Sequence, residues 1–409
     1  FHQKLDFGLT ECMNMIKKLS RRCPLCGFEQ GQVLTHISLM PVEGESLPSD
    51  FDVCLCKACG FCFDDMAATQ NSFDDYYKTT GKYAQANTGG SGGISDADMK
   101  RWSHVIRILS AHVTKKQRIV DVGCGKGGLL LALRAEGFSN VVGIEPSSGC
   151  REALSRQAVV CYPDLSDCLA EETPFDCVIC SQVLEHIFAL GEFLNGVGRL
   201  IGKKGVIYVE VPNAAGYADC FHAPFYYFDR EHINHFTQGS LDNLFAEVLQ
   251  GLPLFREEAC AEPVSGVLTP NLYAVYQLRG ERRAVVPDVS FSQKIESYIK
   301  VSEGRDRYPE IEALKGSHTP VLLWGQGAHL RRLMGKGVFH GLPIKGIIDR
   351  DKGGRGEFLA GYPLLAPKDI SESKFQGAAV IITSVLYARQ IQESLTAQAF
   401  TGRIIRISE

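Results

Sequence analysis

A buried strand that ends in a glycine turn constrains this chain more than any other feature. Residues 119–128 read IVDVGCGKGG, an apolar strand followed by glycines, and residues 142–146 read VGIEP, a second strand ending in Glu145. Glycines at a strand tip let the backbone approach a ligand closely, because no Cβ is in the way. An acid at the tip of the next strand can accept hydrogen bonds from ribose hydroxyls. The pattern predicts that an adenosine-containing cofactor binds here.

The glycine spacing fits two classes of cofactor. Gly123, Gly125 and Gly128 satisfy the G-x-G-x-x-G spacing of dinucleotide sites. Gly123, Gly125 and Gly127 satisfy the D-x-G-x-G-x-G form used for S-adenosylmethionine (SAM). The glycines alone do not decide between them. Asp121 favours SAM, because a carboxylate at this position attracts a cationic amino-acid group and would repel a pyrophosphate.

Two further segments resemble parts of the class I methyltransferases. Residues 175–187 (FDCVICSQVLEHI) are similar to the family's fourth-strand segment, and residues 203–213 (KKGVIYVEVPN) to a segment that ends in Pro-Asn. Strands and helices alternate through about residue 200, which predicts a parallel sheet with crossover helices. Strand-like residues 254–260 and 272–278 would close a seven-stranded sheet with the last strand antiparallel. Dinucleotide domains lack this pair, so it also favours SAM.

Positions in this frame assign roles to the cofactor residues. The predicted SAM-binding residues are Asp121, Gly123, Gly125, Gly127, Glu145, Asp164, Ser181 and Gln182. The glycines shape the turn, Asp121 approaches the methionine amine, and Glu145 accepts from the ribose. Asp164, past the third strand at residues 158–161, is a weaker candidate for the adenine amine. Ser181 and Gln182 end the fourth strand, where open sheets bind ligands.

His186 follows on the adjoining turn and has two interpretations. A histidine here can be a general base, since its unperturbed pKa is close to the working pH. It can equally be a packing residue in a segment common to methyltransferases of many chemistries.

An N-terminal cysteine pattern predicts a metal site. The predicted zinc ligands are Cys23, Cys26, Cys56 and Cys59, which form two C-x-x-C-G knuckles. Four cysteines in two such turns suit a closed tetrahedral zinc site with a structural role. Cys54 and Cys62 flank the second knuckle but fit the turn less well. Residues 33–48 lack a basic patch interleaved with aromatics, which argues against a nucleic-acid-binding zinc ribbon.

The C-terminal third repeats the strand-and-turn pattern. Residues 320–328 (PVLLWGQGA) are an apolar strand followed by glycines, and three more strand-like segments follow, joined to the centre by a polar helix predicted at 292–302. This predicts a small Rossmann-like domain. Gly325-x-Gly327 alone is weak evidence for a second nucleotide. His329, Arg331 and Arg332 at the helix start could meet a phosphate there, or could simply lie at the surface.

Length, charge and cysteine use bound the interpretation. A chain of 409 residues is expected to form two or three domains, which we predict at 1–80, 81–285 and 286–409. The net charge of −4 gives no overall attraction to nucleic acid or anionic membranes. No apolar run reaches the roughly 18 residues of a spanning helix, and the first residues of the given sequence show no signal-peptide pattern. The 15 cysteines lie in apolar segments or C-x-x-C pairs, which indicates reduced thiols and a cytoplasmic protein.

Residues 225–237 (FYYFDREHINHFT) complete a resemblance that spans nearly the whole chain. A zinc-binding cysteine segment, a SAM core with Leu-Glu-His-Ile, an E-H-x-x-x-F-(S/T) segment and a C-terminal Rossmann-like domain resemble the sugar C-methyltransferases of deoxysugar biosynthesis. The resemblance implies a nucleotide-linked keto-sugar substrate and catalytic roles for Glu231 and His232. It also implies that the C-terminal domain closes over the substrate's nucleotide.

One departure from that family's Y-H-E-H-x-x-x-F-S pattern bears on the reaction. Asp229 stands where the family has tyrosine, and Arg230 where it has histidine. C-methylation requires removal of a proton beside a carbonyl and stabilisation of an enolate, so a lost tyrosine removes one candidate acid or base. Tyr226 and Tyr227 are near enough in sequence to substitute for it.

Several alternatives remain open at the level of sequence. O-methylation needs one base, which His232 or His186 could supply with Glu231 as the orienting partner. The acceptor would then be a polysaccharide, an antibiotic or a lipid-linked glycan. An NAD-dependent sugar oxidoreductase and a zinc-ribbon binding module with an inactive core are the other candidates. The aromatic run could also be a lid over the substrate.

Overall fold

The strands of this chain form three sheets. The computed structural model describes residues 15–42, 44–79, 92–171, 174–264, 266–278, 280, 283–350, 358–371 and 375–407. The strands are β1 (Ile16–Lys18), β2 (Gln30–Ser38), β3 (Asp50–Cys56), β4 (Cys62–Asp65), β5 (Arg118–Val122), β6 (Asn140–Ile144), β7 (Cys161–Tyr162), β8 (Phe175–Ser181), β9 (Ile201–Pro212), β10 (Asn234–His235), β11 (Gly251–Val264), β12 (Val267–Leu278), β13 (Val321–Trp324), β14 (Ile344–Ile348), β15 (Phe358–Leu359), β16 (Tyr362–Leu365), β17 (Ala379–Ile382) and β18 (Ile404–Arg406). The α-helices are α1 (Gln70–Thr79), α2 (Asp96–Ser110), α3 (Gly128–Ala135), α4 (Ser148–Ser155), α5 (Leu165–Glu171), α6 (Leu190–Leu200), α7 (Gln238–Leu249), α8 (Val289–Arg305), α9 (Pro309–Glu312), α10 (Ala328–Gly335) and α11 (Ala388–Ala397).

The central sheet has the predicted seven-stranded class I methyltransferase arrangement. Its strand order is β11-β12-β9-β8-β5-β6-β7. Strands β5 to β9 pair in parallel, and β12 lies antiparallel between β9 and β11. Most residues of β5 and β8 are buried, as expected for strands covered on both faces. The strand order reverses between β5 and β8, so their carboxyl ends form the crevice where open α/β sheets bind ligands.

Helix α2 covers one face of the central sheet. It begins with a capping box in which Ser95 accepts from the amide of Asp98 and the Asp98 side chain accepts in return from Ser95. Trp102, Val105 and Leu109 are buried on its inner face. Burial of side chains of this size contributes about 1.5–3 kcal/mol each. This face fixes α2 above the crevice.

The N-terminal sheet includes a strand from far along the chain. Its order is β1-β2-β3-β4-β10, and β10 pairs antiparallel with β4 through Asn234↔Phe63 and His235↔Cys62. The buried guanidinium of Arg21 reinforces this junction, since it donates to Asn234 Oδ1 at 3.0 Å and to the carbonyl of Phe188 at 2.6 Å. The segment just after Glu231 and His232 is therefore held by this N-terminal sheet. The four cysteines predicted to bind zinc lie at the end of β3 or in the turns between its strands, and it is called the zinc-module sheet below for that prediction.

Within the described residues, the C-terminal sheet has six strands, each of two to five residues. Its order is β15-β16-β14-β13-β17-β18, parallel except for the β15–β16 pair. The short strands β15 and β16 were not predicted from the sequence. The helix predicted as polar at 292–302 extends from Val289 to Arg305 and buries Phe291, Ile295 and Tyr298. It is a packed core helix rather than a polar linker.

Two other sequence expectations need adjustment or cannot be compared. The third central strand is β7 rather than residues 158–161, because Ala158 takes a left-handed conformation with φ of 54° and ends the preceding turn. The expected boundary at 80/81 lies outside the described residues. Since β10 belongs to the N-terminal sheet, that sheet also includes residues from the segment predicted as the second domain.

Candidate active site

The glycine turn after β5 requires glycine at each of its key positions. Gly123, Gly125 and Gly127 have φ values of 70°, 53° and 75°, in the left-handed region that side chains disfavour. A Cβ at position 123 would lie 3.0 Å from Val183 Cγ2, and one at position 127 would lie 2.1 Å from Leu154 Cδ2. Gly123 therefore keeps the backbone accessible between the tips of β5 and β8.

Glu145 at the end of β6 is bound to this turn. Its Oε2 accepts from the amide of Gly125 at 2.8 Å, and its Oε1 accepts from the amide of Ser147 at 2.9 Å. Burial raises the pKa of Glu145, and the two amides partly offset that effect. A carboxylate has about four acceptor sites, so two remain for ribose hydroxyls after these bonds.

Asp121 is the second-last residue of β5, two positions before Gly123. Its exposed fraction is 4%, and burial raises its pKa to about 8 although the positive charge of Arg101 opposes the shift. A neutral carboxyl at this place becomes a carboxylate when a cation arrives beside it. This is the property expected of a group that meets the amine of an amino-acid moiety.

Arg101 on α2 brings an unpredicted ion-pair cluster to the crevice. Its Nε donates to Glu210 Oε1 at 2.9 Å, and its Nη2 donates to Glu210 Oε2 at 2.9 Å and to Ser181 Oγ at 2.8 Å. Ser181 also donates to Glu210 Oε2 at 2.6 Å, and Asn271 donates to Glu210 Oε1 at 3.2 Å. Glu210 is fully buried. The predicted cofactor residue Ser181 thus has its hydroxyl engaged with protein groups.

Gln182 ends the fourth central strand in an unusual conformation. Its φ is 56°, and its amide donates to the carbonyl of Glu210 at 2.7 Å. Its buried Nε2 finds no hydrogen-bond partner within the described residues. Strained backbone and an unused buried donor at a strand tip are both typical of ligand sites.

Asp164 lies beyond β7, as predicted, but is engaged locally. Its Oδ1 accepts from the amide of Asp167 at 2.9 Å, and the hydroxyl of Ser166 is the main cause that lowers its pKa. The side chain is exposed and caps helix α5.

A second cluster follows β8 and joins three distant parts of the chain. His186 Nδ1 lies 2.8 Å from the hydroxyl of Tyr77 and 3.0 Å from the carbonyl oxygen of Glu231. The rings of His186 and His232 are 4.6 Å apart and nearly perpendicular. The hydroxyl of Tyr76 donates to Glu231 Oε1 at 2.7 Å. The structure therefore brings together all three residues predicted as catalytic.

Asp229 and Arg230, the two departures from the family pattern, both hold this segment in place. Asp229 Oδ1 accepts from the amides of Glu231 at 2.7 Å and His232 at 2.9 Å. Arg230 pairs with Glu45 at 2.6 Å and lies over the ring of Tyr76. Neither residue replaces a lost tyrosine hydroxyl.

Tyr227, one of the two tyrosines of the aromatic run, does not supply that hydroxyl either. Tyr227 is buried, stacks on Tyr217 with ring centroids 4.0 Å apart, and donates its hydroxyl to the carbonyl of Cys220 at 2.6 Å. Phe225 and Phe228 are also buried in this core. Most of the run is a packed core rather than a lid. The hydroxyls of Tyr76 and Tyr77 contact Glu231 and His186 instead.

The cysteine geometry fits a tetrahedral metal. Cys23 Sγ lies 3.6 Å from Cys59 Sγ, and Cys26 Sγ lies 3.5 Å from Cys56 Sγ. All four sulfur atoms lie within 4.8 Å of one another. Four thiolates at 2.3 Å from a zinc ion are about 3.8 Å apart, close to these values. Cys54 and Cys62 are buried elsewhere in the sheet.

The basic residues after the C-terminal glycine turn do not face a phosphate site. Arg332 pairs with Asp306 at 2.9 Å, and Arg331 pairs with Glu45 at 2.9 Å and donates to the carbonyl of Met40. His329 is 7% exposed, and burial lowers its pKa to about 3. Both sequence-level alternatives for these residues, phosphate contact and simple surface placement, are wrong, since all three are buried in the protein.

Some residues of the site carried no sequence signal. Arg101 and Glu210 are charges on an amphipathic helix and within a strand, where solvent exposure is the usual expectation. Glu185, fully buried beside His186, could have been noticed as an acid inside the apolar run VLEHI. Tyr77 lies in the aromatic-rich stretch FDDYYK at 73–78, whose pattern does not indicate which part of the chain it contacts.

Comparison with known proteins agrees with the central fold. The family described as "Methyltransferase domain" matches residues 96–248. A ubiquinone biosynthesis O-methyltransferase of Azorhizobium caulinodans is 31% identical over 130 residues, covering 30% of this chain and 50% of the relative. The corresponding enzyme of Rickettsia felis is 32% identical over 109 residues, covering 24% and 44%. The chain therefore spans about half the length of the relatives it matches.

Solved structures of low similarity were also found. A SAM-dependent methyltransferase of Clostridium acetobutylicum has a TM-score of 0.36 at 15% identity, covering 45% of this chain and 94% of that one. One of Archaeoglobus fulgidus has a TM-score of 0.35 at 18% identity, covering 44% and 93%. The strand order is that of the class I methyltransferase fold, and the residues that match the methyltransferase-domain family, 96–248, include most of its parallel strands. Across the described residues, no helix is long and apolar enough to span a membrane.

Proposed function

We propose that this chain is a SAM-dependent methyltransferase whose acceptor is a sugar, nucleotide-linked, methylated on carbon. The observation that carries the methyltransferase part is the crevice between β5 and β8. There, a left-handed glycine turn lies between buried Asp121 and Glu145, and the unused Nε2 of Gln182 ends the facing strand. These residues fit SAM as a group, because they offer a carboxylate for its amine, acceptors for its ribose and backbone without side chains between them.

The chain's own residues would orient the cofactor in this crevice. SAM supplies an electrophilic methyl group on its sulfonium. Asp121 would meet the amine, and the free acceptor sites of Glu145 would bind the ribose hydroxyls. Asp164 at the end of β7 stays a candidate for the adenine amine. The Arg101–Glu210 pair would hold in place the residues beside the sulfonium, since both of its members are hydrogen-bonded to Ser181 at the end of β8 and Glu210 belongs to β9.

Proton transfer is proposed for the cluster that follows β8. His232 would take the proton from the acceptor, with Glu231 as its partner and His186 beside it. Tyr76 donates to Glu231 and so fixes the orientation of that carboxylate. The Tyr77 hydroxyl could donate to a developing enolate, which is the role left open by Asp229.

The sugar part of the proposal rests on the whole-chain resemblance. It gains support from the way the zinc-module sheet binds β10 and so holds the Glu231–His232 segment against the methyltransferase sheet. Entry of a nucleotide between the central and C-terminal sheets is part of the same proposal. Arg331 and Arg332 give it no support, because both are engaged in ion pairs.

O-methylation of a sugar hydroxyl is the second candidate. Two observations favour it: the relatives that match are named O-methyltransferases, and Asp229 stands where the resembled family has its tyrosine. Removing a hydroxyl proton needs one base, so His232 would suffice. NMR of the product separates the two candidates, because a methyl on oxygen and a methyl on carbon resonate differently.

A thermal-shift screen tests the proposal and narrows the acceptor. The protein is heated with S-adenosylhomocysteine alone and then with TDP-, UDP-, GDP- and CDP-sugars added. A ligand that binds only the native state raises the melting temperature. We expect stabilisation by S-adenosylhomocysteine and a further rise with one class of nucleotide sugar. Stabilisation by NAD and none by S-adenosylhomocysteine would contradict the methyltransferase proposal, and no response to any nucleotide sugar would contradict the acceptor class.

A further inference from the structure

Three metal-ligating side chains converge at the acceptor side of the crevice. Glu185, His186 and His232 each offer a ligand atom, and these atoms lie within 4.8 Å of one another. The first two occupy the short 3-10 helix after β8, and His232 comes from the segment held by the zinc-module sheet. The cluster is separate from the four cysteines, which lie in the N-terminal knuckles.

Glu185 is the unexplained member of this cluster. Its side chain is fully buried, and no other described residue donates a hydrogen bond to either carboxylate oxygen. Buried carboxylates in native proteins are paired, hydrogen-bonded or bound to metal, because an isolated one is costly. The proton transfer proposed above makes no use of Glu185.

The hydrogen bonds of His186 favour ligation through its other nitrogen. The carbonyl oxygen of Glu231, 3.0 Å from Nδ1, can only accept, so Nδ1 carries the hydrogen. In this tautomer Nε2 carries the lone pair of the ring, and it lies 3.9 Å from Glu185 Oε1. A histidine fixed by a backbone carbonyl on one nitrogen, with the other facing a carboxylate, is the usual arrangement of a metal ligand and its support.

We propose that Glu185, His186 and His232 bind a divalent first-row transition-metal ion that coordinates oxygen atoms of the methyl acceptor. Two imidazoles and one carboxylate favour such ions over magnesium or calcium, and leave coordination positions open. Ligand atoms at about 2.1 Å from one ion are roughly 3.0–3.4 Å apart, so these atoms would have to approach one another by up to about 1.8 Å through side-chain rotation. The ion would stabilise negative charge on an acceptor oxygen as the methyl group arrives.

This inference rests on the proposed function, since it assigns the ion to the acceptor of that same site. It also changes one role. When His232 holds the ion, Glu231 is the group left to accept the proton, and its bond from Tyr76 keeps it oriented. An acceptor with two neighbouring oxygens, such as a vicinal diol or a hydroxy-ketone, would occupy two open positions.

Cobalt binding to the zinc-loaded full chain tests the site. Co²⁺ is titrated into the protein after brief dialysis against a chelator, and absorption is followed together with metal content. We expect one equivalent to bind with weak visible bands and without the intense near-ultraviolet band of cobalt–thiolate bonds. Glu185→Gln should weaken Co²⁺ binding at least 100-fold, as should His232→Ala. Glu231→Gln is the matched control, a neighbouring carboxylate outside the ligand set, and should bind Co²⁺ within about threefold of the unaltered chain.

The outcomes separate this proposal from the function it rests on. Absence of Co²⁺ binding, or equal binding by Glu185→Gln and His232→Ala, overturns the metal site. Titration of S-adenosylhomocysteine is run on the same samples. Binding of S-adenosylhomocysteine without Co²⁺ overturns only the metal site, whereas Co²⁺ binding without S-adenosylhomocysteine overturns the proposed function. If Glu231→Gln and Glu185→Gln weaken Co²⁺ binding equally, the metal site is also overturned, since the ion would then respond to the overall negative charge of the cleft and not to specific ligands.

Discussion

The central and C-terminal sheets carry the same strand–glycine–helix arrangement and use it differently. In both, the acid that ends the second strand accepts from an amide of the glycine turn: Glu145 from Gly125 at 2.8 Å, and Asp349 from Gln326 at 2.9 Å. In the central turn three glycines are left-handed, and the facing strand ends in Gln182 with an unused donor. The shared topology therefore builds the same turn twice.

In the C-terminal turn, residues of the neighbouring strand end pack directly against the glycine backbone. A Cβ at Gly325 would lie 2.8 Å from the backbone nitrogen of Ser384. Thr383 donates its hydroxyl to the carbonyls of Trp324 and Gly325 at 2.9 and 2.7 Å. The arginines of the following helix pair with Asp306 and with Glu45 of the N-terminal segment. Topology sets where a crevice forms, but the side chains at the strand tips decide whether a ligand can use it.

The largest expected effect comes from breaking the C-terminal ion pair. Arg332→Ala removes two hydrogen bonds from the Asp306 carboxylate, whose side chain is 6% exposed and which keeps Lys336 as an ion-pair partner. Hydrogen bonds to charged groups contribute about 1.5–3 kcal/mol each, so we expect a loss of about 3–5 kcal/mol in the free energy of unfolding. Chemical denaturation should show this loss, while affinity for S-adenosylhomocysteine measured on the folded protein should stay the same. If Arg332→Ala were as stable as the unaltered protein but bound nucleotides more weakly, Arg332 would contact a ligand. The proposed difference between the central and C-terminal turns would then be wrong.

The two glycine turns can be compared directly by adding one methyl group to each. Gly127→Ala forces a left-handed alanine against Leu154, with a combined cost of about 2–5 kcal/mol from backbone strain and overpacking. We expect lower stability and at least 100-fold weaker binding of S-adenosylhomocysteine by calorimetry.

Gly327→Ala is the matched control in the C-terminal turn. Gly327 has a φ of −72°, and a Cβ there would meet nothing within 4 Å. The free energy of unfolding of the Gly327→Ala protein should differ from that of the unaltered chain by less than about 0.5 kcal/mol, as for other surface substitutions. If Gly127→Ala changed the binding of S-adenosylhomocysteine little and Gly327→Ala weakened it strongly, the ligand would bind at the C-terminal turn and not at the central one.

The smallest expected effect is a pH dependence of cofactor binding through Asp121. Its pKa of about 8 means that it is mainly protonated at pH 7 without ligand, and a bound cation favours the ionised form. Binding therefore releases a proton, so affinity should rise with pH up to about 8, by at most tenfold per unit, and level off above.

Asp121→Asn isolates this contribution from any titration of the ligand itself. The difference between the two proteins in affinity for S-adenosylhomocysteine should be small at pH 6 and should grow as the pH rises to 8.5. A pH-independent difference would show that Asp121 does not meet the amine.

Sequence predicted the parts of this fold that local pattern encodes. The apolar runs of β5, β8 and β13 and the antiparallel closing pair β11–β12 all follow from periodicity. The pairing of β10 with β4 could not be predicted, because a two-residue strand has no pattern and its partner is about 170 residues away. The strand pair β15–β16 was missed for the same reason of length.

The candidate site divides in the same way. The glycines and the acid at the strand tips have a fixed spacing, so the sequence predicts that they lie together, and the structure places Gly125 and Glu145 in contact. Their role in binding a cofactor stays a prediction. Arg101, Tyr77 and Glu185 reach the site through tertiary packing alone, and charged or aromatic residues on helices carry no signal of which face they will occupy. The same limit explains why Arg331 and Arg332 were misread as ligand-facing or exposed.

Counting the binding sites for S-adenosylhomocysteine on the full chain tests this account most directly. Isothermal titration calorimetry should show one equivalent per chain, retained in Gly327→Ala and lost in Gly127→Ala. That result places the ligand in the central crevice and leaves the C-terminal turn without one. No measurable binding, or two equivalents per chain, or one equivalent retained in Gly127→Ala, would contradict it.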